Sequence, residues 1–188
     1  MINPTPNDGR NFGDQYFSPP WVVDGLLSVI QPKGRIIEPC AGEGHLADRL
    51  RDYGYTVTES DIDPTLRGKA RDFLSDDFNE EAEWVVTNPP YTIKGGPRAS
   101  DFYRQAMEVA TKGVAMLLRL SWLEACRDRK DILPKLTKVA IFPSPRVQYI
   151  GSGSSNPAQS AWFIWTPEGE TKPMEVEYIS PEVLDGLR

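Results

Sequence analysis

The chain has few of the residues that crosslink a protein or hold a metal ion. Its 188 residues include two cysteines, Cys40 and Cys126, and one histidine, His45. The two cysteines lie far apart in the sequence and belong to no Cys-x-x-Cys pair, so neither a disulfide framework nor a zinc site is indicated. A metal cluster would have to rely mainly on carboxylates, and we expect no metal.

Long apolar runs are also missing. The longest are of the kind seen from Val114 to Leu118, whereas a membrane-spanning helix needs about 20 consecutive apolar residues. Residues 1–14 are polar and show neither the basic start nor the apolar stretch of a signal peptide. We therefore expect a cytoplasmic protein with no membrane partner. We also expect one domain over residues 1–188, of which residues 1–14 form a flexible segment.

Basic residues are also fewer than acidic ones, and the formal net charge is −6 at pH 7. Phosphate neutralisation by Lys and Arg supplies most of the affinity of proteins for nucleic acids, so this balance opposes strong nonspecific binding. Basic residues nevertheless concentrate between Arg119 and Lys138, and a local cluster can override the net charge. The alternative is that this segment is simply a solvated face.

Strand and helix patterns alternate along the chain, which is typical of an α/β domain with a mostly parallel sheet. The predicted strands are 35–38, 55–60, 84–86, 114–118, 139–142, 161–165 and a short one after residue 172. The predicted helices are 20–30, one that carries Leu46 to Leu50 and ends at Gly54, 100–111, 121–133 and a short one in the tail. A loop rich in Pro, Gly and Ser separates the strands 139–142 and 161–165, so we expect an antiparallel hairpin at one sheet edge.

A glycine-rich loop follows the first predicted strand. It runs Glu38-Pro39-Cys40-Ala41-Gly42-Glu43-Gly44, and glycines let a ligand approach the backbone where a helix begins. Gly42, Gly44 and Ala47 also fit the dinucleotide pattern G-x-G-x-x-G/A, although a turn without function matches such a pattern as well. Glu38 and Glu43 would repel a pyrophosphate, so a cationic ligand fits better. S-adenosylmethionine, which carries an ammonium and a sulfonium, is such a ligand.

An acidic residue follows the second predicted strand at the spacing expected of a ribose ligand. Asp61 lies 19 positions after Gly42, close to the roughly 20 that separate the glycine loop from the ribose-binding acid in nucleotide folds. We predict that Asp61 and its neighbour Ile62 contact the cofactor. Asp61 would otherwise be a solvated turn residue before Pro64.

The most specific string is Thr87-Asn88-Pro89-Pro90-Tyr91, which directly follows an apolar strand. It matches the whole (Asp/Asn/Ser)-Pro-Pro-(Tyr/Phe/Trp) motif of the adenine-N6 DNA methyltransferases, and the chain resembles that S-adenosylmethionine-dependent family. Pro89-Pro90 makes a rigid loop that can aim the Asn88 side chain and the Pro89 carbonyl at one small target. Without a function, the string would be a strand that ends at a proline turn.

The resemblance implies a Rossmann-like class I methyltransferase fold with a mostly parallel seven-stranded sheet, an antiparallel edge hairpin and helices on both faces. It also implies direct transfer of a methyl group from S-adenosylmethionine to the amino nitrogen of adenine, after that base has left the DNA stack. Asn88 and Pro89 would accept hydrogen bonds from this nitrogen. Pro90 would stiffen the turn, and Tyr91 would stack on the base.

Other segments carry the same resemblance. Tyr16-Phe17-Ser18-Pro19 is similar to the N-terminal motif that closes over the methionine part of the cofactor in this family, although it would serve equally well as an aromatic staple before a helix. Asp72-Phe73 is similar to the acid and the aromatic residue that contact the cofactor adenine. The predicted cofactor site therefore comprises Tyr16, Phe17, Ser18, Pro19, Glu38, Pro39, Cys40, Ala41, Gly42, Gly44, Asp61, Ile62, Asp72, Phe73 and Asn88.

Residues 118–124 and 143–146 resemble small phage-associated members of the family, which implies a bacterial or phage-infected host cytoplasm. Many relatives carry a separate domain that reads the DNA sequence, and no such domain fits between Gly44 and Asn88. The predicted substrate contacts are Tyr91, Lys94, Trp122, Arg127 and Arg146. For the last three, a core tryptophan and solvated arginines are the alternative.

Two other functions stay open at this point. Related Asn-Pro-Pro-Tyr enzymes methylate RNA bases or the side-chain amide of a protein glutamine, and the acidic net charge favours a protein substrate. Alternatively, the chain is a binding protein that kept the fold and lost turnover, although the intact string from Asn88 to Tyr91 argues against this.

Overall fold

The computed structural model describes residues 17–91, 98–124, 126–143, 146–150, 158–167 and 172–185. The predicted flexible segment 1–14 lies outside the described residues, as do Tyr16 and Lys94 of the predicted site. The described chain forms one sheet of eight strands. Among the described residues, no helix has the length and apolar character needed to cross a membrane.

The order of the elements follows the predicted alternation. The strands are β1 (Ile36–Glu38), β2 (Val57–Asp61), β3 (Lys69–Ala70), β4 (Ala82–Thr87), β5 (Ala110–Arg119), β6 (Lys138–Ile141), β7 (Ser160–Trp165) and β8 (Glu175–Tyr178). The α-helices are α1 (Trp21–Val29), α2 (His45–Asp52), α3 (Ala99–Val109) and α4 (Pro181–Asp185). Three 3₁₀ turns cover Leu120–Leu123, Arg127–Arg129 and Leu133–Lys135.

The sheet is mostly parallel. Its strand order is β3-β2-β1-β4-β5-β7-β6-β8. β7 runs antiparallel to both of its neighbours, β5 and β6, whereas β1, β2, β3, β4 and β5 pair in parallel. The predicted α/β fold, with a mostly parallel sheet and an antiparallel pair towards one edge, is confirmed.

Alternate residues of the central strands face opposite layers of the fold. Val85 packs in one core cluster together with α3, whereas Trp84 and Val86 pack in the other together with α1, α2 and α4. On β7, Trp162 and Phe163 are fully buried on opposite faces of the sheet. The two-residue period of a strand produces this division, and it confirms the prediction that helices cover both faces.

The structure refines the predicted elements at two places and corrects them at a third. It adds an eighth strand, β3, whose two exposed residues carry no apolar pattern. It also places β8 outside the β6–β7 pair, where β8 pairs in parallel with β6. The helix predicted over 121–133 is wrong, because the described residues of this segment form short 3₁₀ turns and no α-helix. Charged residues from Arg127 to Asp131 interrupt the helical spacing there, and Pro134 disfavours helix in the residue before it.

The strand order places the ends of β1 and β4 side by side, although these strands are far apart in sequence. From β1 the chain moves outward through β2 to β3, and it then returns to form β4 on the other side of β1. In open parallel sheets, ligands bind beyond the carboxyl ends of the strands where the order reverses in this way. The glycine loop follows β1 and the Asn88 turn follows β4, so both lie at this position.

Trp162 ties α1 to the centre of the sheet, because its buried indole N–H donates to the Val22 carbonyl oxygen at 2.8 Å. We expect Trp162→Phe to lower the free energy of unfolding by about 2–4 kcal/mol, since ring volume and a buried hydrogen bond are both lost. Urea denaturation measures the loss. The control is Tyr178→Phe, at a residue that is 69% exposed, and we expect it to change stability by less than about 0.5 kcal/mol. Equal effects of the two changes would contradict the role given to Trp162.

Candidate functional site

Two glycines shape the loop between β1 and α2. Gly42 has a φ of 56° and Gly44, which caps α2, has a φ of 86°, and both angles lie in the left-handed region that favours glycine. A Cβ atom on Gly42 would lie 2.7 Å from the ring of Phe17, and one on Gly44 would lie 2.7 Å from the Arg67 guanidinium. Glycine is therefore needed at both positions for the turn itself and for the close approach of a neighbouring side chain.

Asp61 holds the glycine loop to the end of β2. Its carboxylate accepts hydrogen bonds from the backbone N–H groups of Gly42, at 2.9 Å, and of Asp63, at 3.0 Å. Burial raises the pKa of Asp61 above its ordinary value. Asp61 is therefore not a solvated turn residue, whereas Ile62 beside it is exposed.

Glu38 joins the glycine loop to the Asn88 turn. One carboxyl oxygen, Oε1, accepts hydrogen bonds from the Thr87 hydroxyl at 2.6 Å and from the Cys40 N–H at 3.1 Å. The other oxygen, Oε2, is buried and has no hydrogen-bond partner among the described residues. Burial raises the pKa of Glu38 to about 8. Oε2 is free to accept one further donor, and a cationic donor would also favour the ionised carboxylate.

The Asn-Pro-Pro-Tyr turn begins directly after Thr87, at the end of β4. Pro89 is buried, and Asn88 and Pro90 are partly buried. The Asn88 side-chain nitrogen Nδ2 donates to Ser18 Oγ at 2.9 Å. The predicted N-terminal motif thus reaches the predicted catalytic turn.

Phe17 and Ser18 lie across both loops. Phe17 pairs with Ile150 through an isolated β-bridge, and its ring lies against Gly42. Ser18 and Pro19 are buried, and the Pro19 carbonyl accepts a backbone hydrogen bond from the first turn of α1. The described part of the N-terminal motif, the glycine loop and the Asn88 turn were predicted separately, and they meet at one place.

The Tyr91 hydroxyl is buried beneath the turn. It is hydrogen bonded to the hydroxyl of Tyr149, which in turn lies 3.0 Å from Ser160 Oγ. Burial raises the pKa of Tyr91 well above its ordinary value. The Arg119 guanidinium lies 5.1 Å from the centre of the Tyr91 ring, in a cation–π contact. One face of this ring is therefore covered by a cation in this structure.

Asp72 and Phe73 lie near Cys40 of the glycine loop. Phe73 is 2% exposed and its ring contacts Phe78 and Phe102 at centroid distances of 4.9 and 6.2 Å. The half-buried Cys40 packs against the same cluster, and burial raises the pKa of its thiol. Phe73 is thus a core residue in this structure, and its contact with a cofactor adenine stays a prediction.

The predicted substrate contacts other than Tyr91 have different surroundings. Trp122 is partly buried and packs edge-on against Phe163 and Trp165 at centroid distances of 5.5 and 5.8 Å, so much of its ring belongs to the core. Arg127 and Arg146 are exposed. Their contact with a substrate stays a prediction.

Arg119 lies at the candidate site, whereas the sequence analysis placed it only in a basic cluster. It ends β5, the neighbour of the strand that carries the Asn88 turn. Its Nε is buried and has no hydrogen-bond partner among the described residues. The sequence could have indicated this location, because Arg119 is an arginine at the carboxyl end of a strand predicted to be parallel.

The other described residues form neither a metal-binding cluster nor a cavity that would be a better candidate for the functional site. Within the described ranges, no group of three or more His, Cys, Asp or Glu side chains is placed to hold a metal ion. A surface cavity of about 320 Å³ lies elsewhere and is lined by Asp24, Leu27, Ser28, Gln31, Tyr53, Tyr55 and Val183. Its carboxylate, Asp24, already accepts hydrogen bonds from Arg49 and Tyr53. The candidate site is therefore the sheet edge that carries the glycine loop.

Glu38 is expected to make the folded chain less stable as the pH rises. Between pH 4.5 and about 8, an unfolded chain loses the Glu38 proton while the folded chain keeps it. The stability contributed by Glu38 is thus fully present below pH 4.5 and is lost as the pH rises to about 8. Over this range, we expect the free energy of unfolding to fall, relative to that of Glu38→Gln, by up to about 1.4 kcal/mol per pH unit.

Urea denaturation of the two proteins at several values between pH 5 and 8, without added ligand, measures this difference. The matched control is Glu124→Gln, at an exposed glutamate, and we expect its stability to follow that of the unmodified chain at every pH. A difference between Glu38→Gln and the unmodified chain that does not change with pH would contradict a buried, protonated Glu38.

Neither a protein-family description nor a curated protein matches the sequence. Solved structures do match. A candidate class I S-adenosylmethionine-dependent methyltransferase from Listeria monocytogenes has a TM-score of 0.60 at 14% identity, over 91% of this chain and 69% of its own. A candidate RNA methyltransferase from Pyrococcus horikoshii has a TM-score of 0.57 at 15% identity, over 81% of this chain and 86% of its own.

A third similar structure is the M protein of the type I restriction enzyme EcoKI. Its TM-score is 0.56 at 14% identity, over 81% of this chain. The matched part is 44% of that protein, so this chain corresponds to less than half of it. At these identities the likeness concerns the fold, and the chain has the Rossmann-like fold of class I methyltransferases.

Proposed function

We propose that the chain is an S-adenosylmethionine-dependent methyltransferase that methylates the exocyclic amino group of adenine in DNA. The observation that carries the proposal is the position of the Asn88 turn, which the Thr87–Glu38 hydrogen bond of 2.6 Å joins to the glycine loop. A site for the methyl donor and a site for the amine that receives the methyl group are thereby adjacent. Reactants held side by side need no further ordering before they react.

The residues of the glycine loop fit S-adenosylmethionine. Glu38 Oε2, which is buried without a partner among the described residues, would accept a hydrogen bond from the ammonium group. The bare backbone at Gly42 would lie against the ligand. Asp61 has one N–H donor on each oxygen, and a carboxylate can accept more, so it would also bind the ribose hydroxyls. When bound, S-adenosylmethionine supplies a methyl group on a positively charged sulfur.

The Asn88 turn would act on the amine that receives the methyl group. This nitrogen is a poor nucleophile, because its lone pair is delocalised into the adenine ring. The Asn88 side-chain oxygen and the Pro89 carbonyl would accept hydrogen bonds from its two N–H groups, which favours a pyramidal nitrogen and stabilises the positive charge that develops on it. No strong base is required, since a methylated, positively charged nitrogen is acidic enough to lose a proton to water.

The charges around the turn support a nucleic-acid substrate over a protein one. Arg49, Arg51 and Arg67, on the glycine-loop side, form ion pairs with carboxylates. Among the described residues, Arg119 and Arg129 have no carboxylate partner, and their guanidinium groups lie instead over the rings of Tyr91 and Trp122. Arginine planes next to aromatic rings suit contacts with phosphates and unstacked bases.

Removing the Asn88 side chain tests the catalytic assignment. We expect Asn88→Ala to lower turnover by about 100-fold or more, because one transition-state hydrogen bond is lost, while affinity for the methyl donor falls much less. Single-turnover kinetics with labelled donor measures turnover, and calorimetry measures affinity. The matched control is Asn79→Ala, which removes an exposed asparagine that bonds to Arg71 and should change neither. A large loss of donor affinity with normal turnover at saturation would contradict the assignment.

The substrate class is tested in cells that express the chain. We expect mass spectrometry of their DNA nucleosides to show N6-methyl-2′-deoxyadenosine that is absent from the DNA of cells expressing Asn88→Ala. The same comparison on RNA nucleosides and on glutamines of whole-cell protein separates the other substrates. A modification confined to RNA or protein would overturn the DNA proposal and leave the methyltransferase proposal standing. Donor binding with no modification in any fraction would favour a binding protein.

A further inference from the structure

Arg119 has no anionic partner among the described residues, and one of its nitrogens is buried. Its Nε has no hydrogen-bond partner there, and its guanidinium instead lies 5.1 Å from the centre of the Tyr91 ring. Arg49, by contrast, donates to the Asp24 carboxylate at 2.7 Å. Burying part of a charged group without a hydrogen-bond partner costs free energy. A ligand that accepts hydrogen bonds from Arg119 would offset this cost.

The register of the sheet places Arg119 beside the Asn88 turn. Thr87, the last residue of β4, pairs with Met116 of the parallel strand β5. β5 continues beyond Met116 and ends at Arg119, while the chain beyond Thr87 forms the turn that leads to Tyr91. Arg119 therefore lies at the carboxyl end of the sheet, next to the place proposed for the amine that receives the methyl group.

The chemistry of a guanidinium group limits what Arg119 can bind. It has only donors and a permanent positive charge, so it favours anions that accept hydrogen bonds. The amine of adenine presents donors, and the ring nitrogens of adenine accept hydrogen bonds but carry no charge. A phosphate satisfies both requirements, and a nucleic-acid strand carries one on each side of an internal nucleotide. An adenine that enters the site therefore brings phosphates with it, whereas a glutamine side chain brings no comparable charge.

We propose that Arg119 binds a phosphate that flanks the adenine to be methylated in the DNA strand. This inference rests on the proposed function. Binding would break no ion pair of Arg119 with the described residues, because its guanidinium would exchange the contact with the Tyr91 ring for charge-assisted hydrogen bonds. Contacts with phosphates position a strand and carry no sequence information. Arg119 would thus add affinity and hold the strand in register, whichever bases flank the adenine.

The salt dependence of DNA binding tests this contact without any turnover. Fluorescence anisotropy gives the Kd of a labelled, adenine-containing DNA oligonucleotide at several salt concentrations, in the absence of methyl donor. We expect Arg119→Gln to raise Kd by about tenfold or more at low salt, because a hydrogen bond to a charged group is lost. The slope of log Kd against log salt concentration should fall by about 0.9 for a duplex, or about 0.7 for a single strand, which corresponds to one phosphate contact.

Two further variants separate the charge of Arg119 from its place in the fold. Arg119→Lys keeps a cation that binds phosphate, so we expect it to weaken binding less and to keep the slope. The matched control is Lys112→Gln, which removes the same charge from an exposed residue near the other end of β5. It should change neither Kd nor the slope. Calorimetry should show the same affinity for the methyl donor in all the variants.

The outcomes distinguish this proposal from the proposed function. If the unmodified chain methylates DNA and Arg119→Gln keeps the same slope, the phosphate contact is overturned and the proposed function stands. Equal losses of affinity in Arg119→Gln and Arg119→Lys would also overturn it, because they would indicate a structural role. A change of slope that appears with an RNA oligonucleotide and not with DNA would overturn the choice of DNA. If the unmodified chain neither binds nor methylates a nucleic acid, both proposals fail.

Discussion

The hydrogen bond from the Thr87 hydroxyl to the buried Glu38 carboxyl connects the two halves of the candidate site. Glu38 ends β1 and Thr87 ends β4, and these strands are neighbours although their ends are 49 residues apart in sequence. Burying a carboxyl group costs free energy unless its oxygens find donors. Thr87 and the Cys40 N–H satisfy Oε1, while Oε2 stays buried without a partner among the described residues. Most buried polar atoms in proteins have a hydrogen-bond partner, so a ligand that donates to Oε2 would account for this arrangement.

The Glu38 carboxyl links binding of the proposed ligand to the release of a proton and to the stability of the folded chain. With the pKa of Glu38 raised to about 8, the folded chain holds a proton there at neutral pH. A cationic group at Oε2 would favour the ionised form, so binding would release this proton and offset the cost of burial. Titratable groups with strongly shifted pKa values are common at functional sites, because a ligand, and not the fold alone, accounts for the shift. Asp61, which is also buried with a raised pKa, differs in that each of its oxygens has a backbone donor.

Short strings of sequence were sufficient to predict the parts of the site that follow strand ends. The glycine loop, Asp61 and the Asn88 turn each depend on local patterns, and the parallel order of the strands then brings them together. Contacts between distant segments were not predictable in this way, since nothing in a local pattern pairs Ser18 with Asn88 or Tyr91 with Tyr149. Tertiary packing also decided the burial of Phe73. The prediction of a helix over 121–133 was wrong because a run of charged residues separates the apolar residues that suggested it.

The Tyr91 side of the candidate site is held by different interactions from the glycine-loop side. There the antiparallel register of β5 and β7 places Arg119 opposite Ser160, and Ser160 is the residue that meets the Tyr149 hydroxyl beneath Tyr91. A one-residue slip of β7 would turn Ser160 to the other face of the sheet and remove this contact. The large buried rings of Trp162 and Phe163, on opposite faces of β7, oppose such a slip because each would have to change face. The position of Tyr91 thus depends on the core of the antiparallel strands, whereas that of Asn88 depends on β1, β4 and the N-terminal segment.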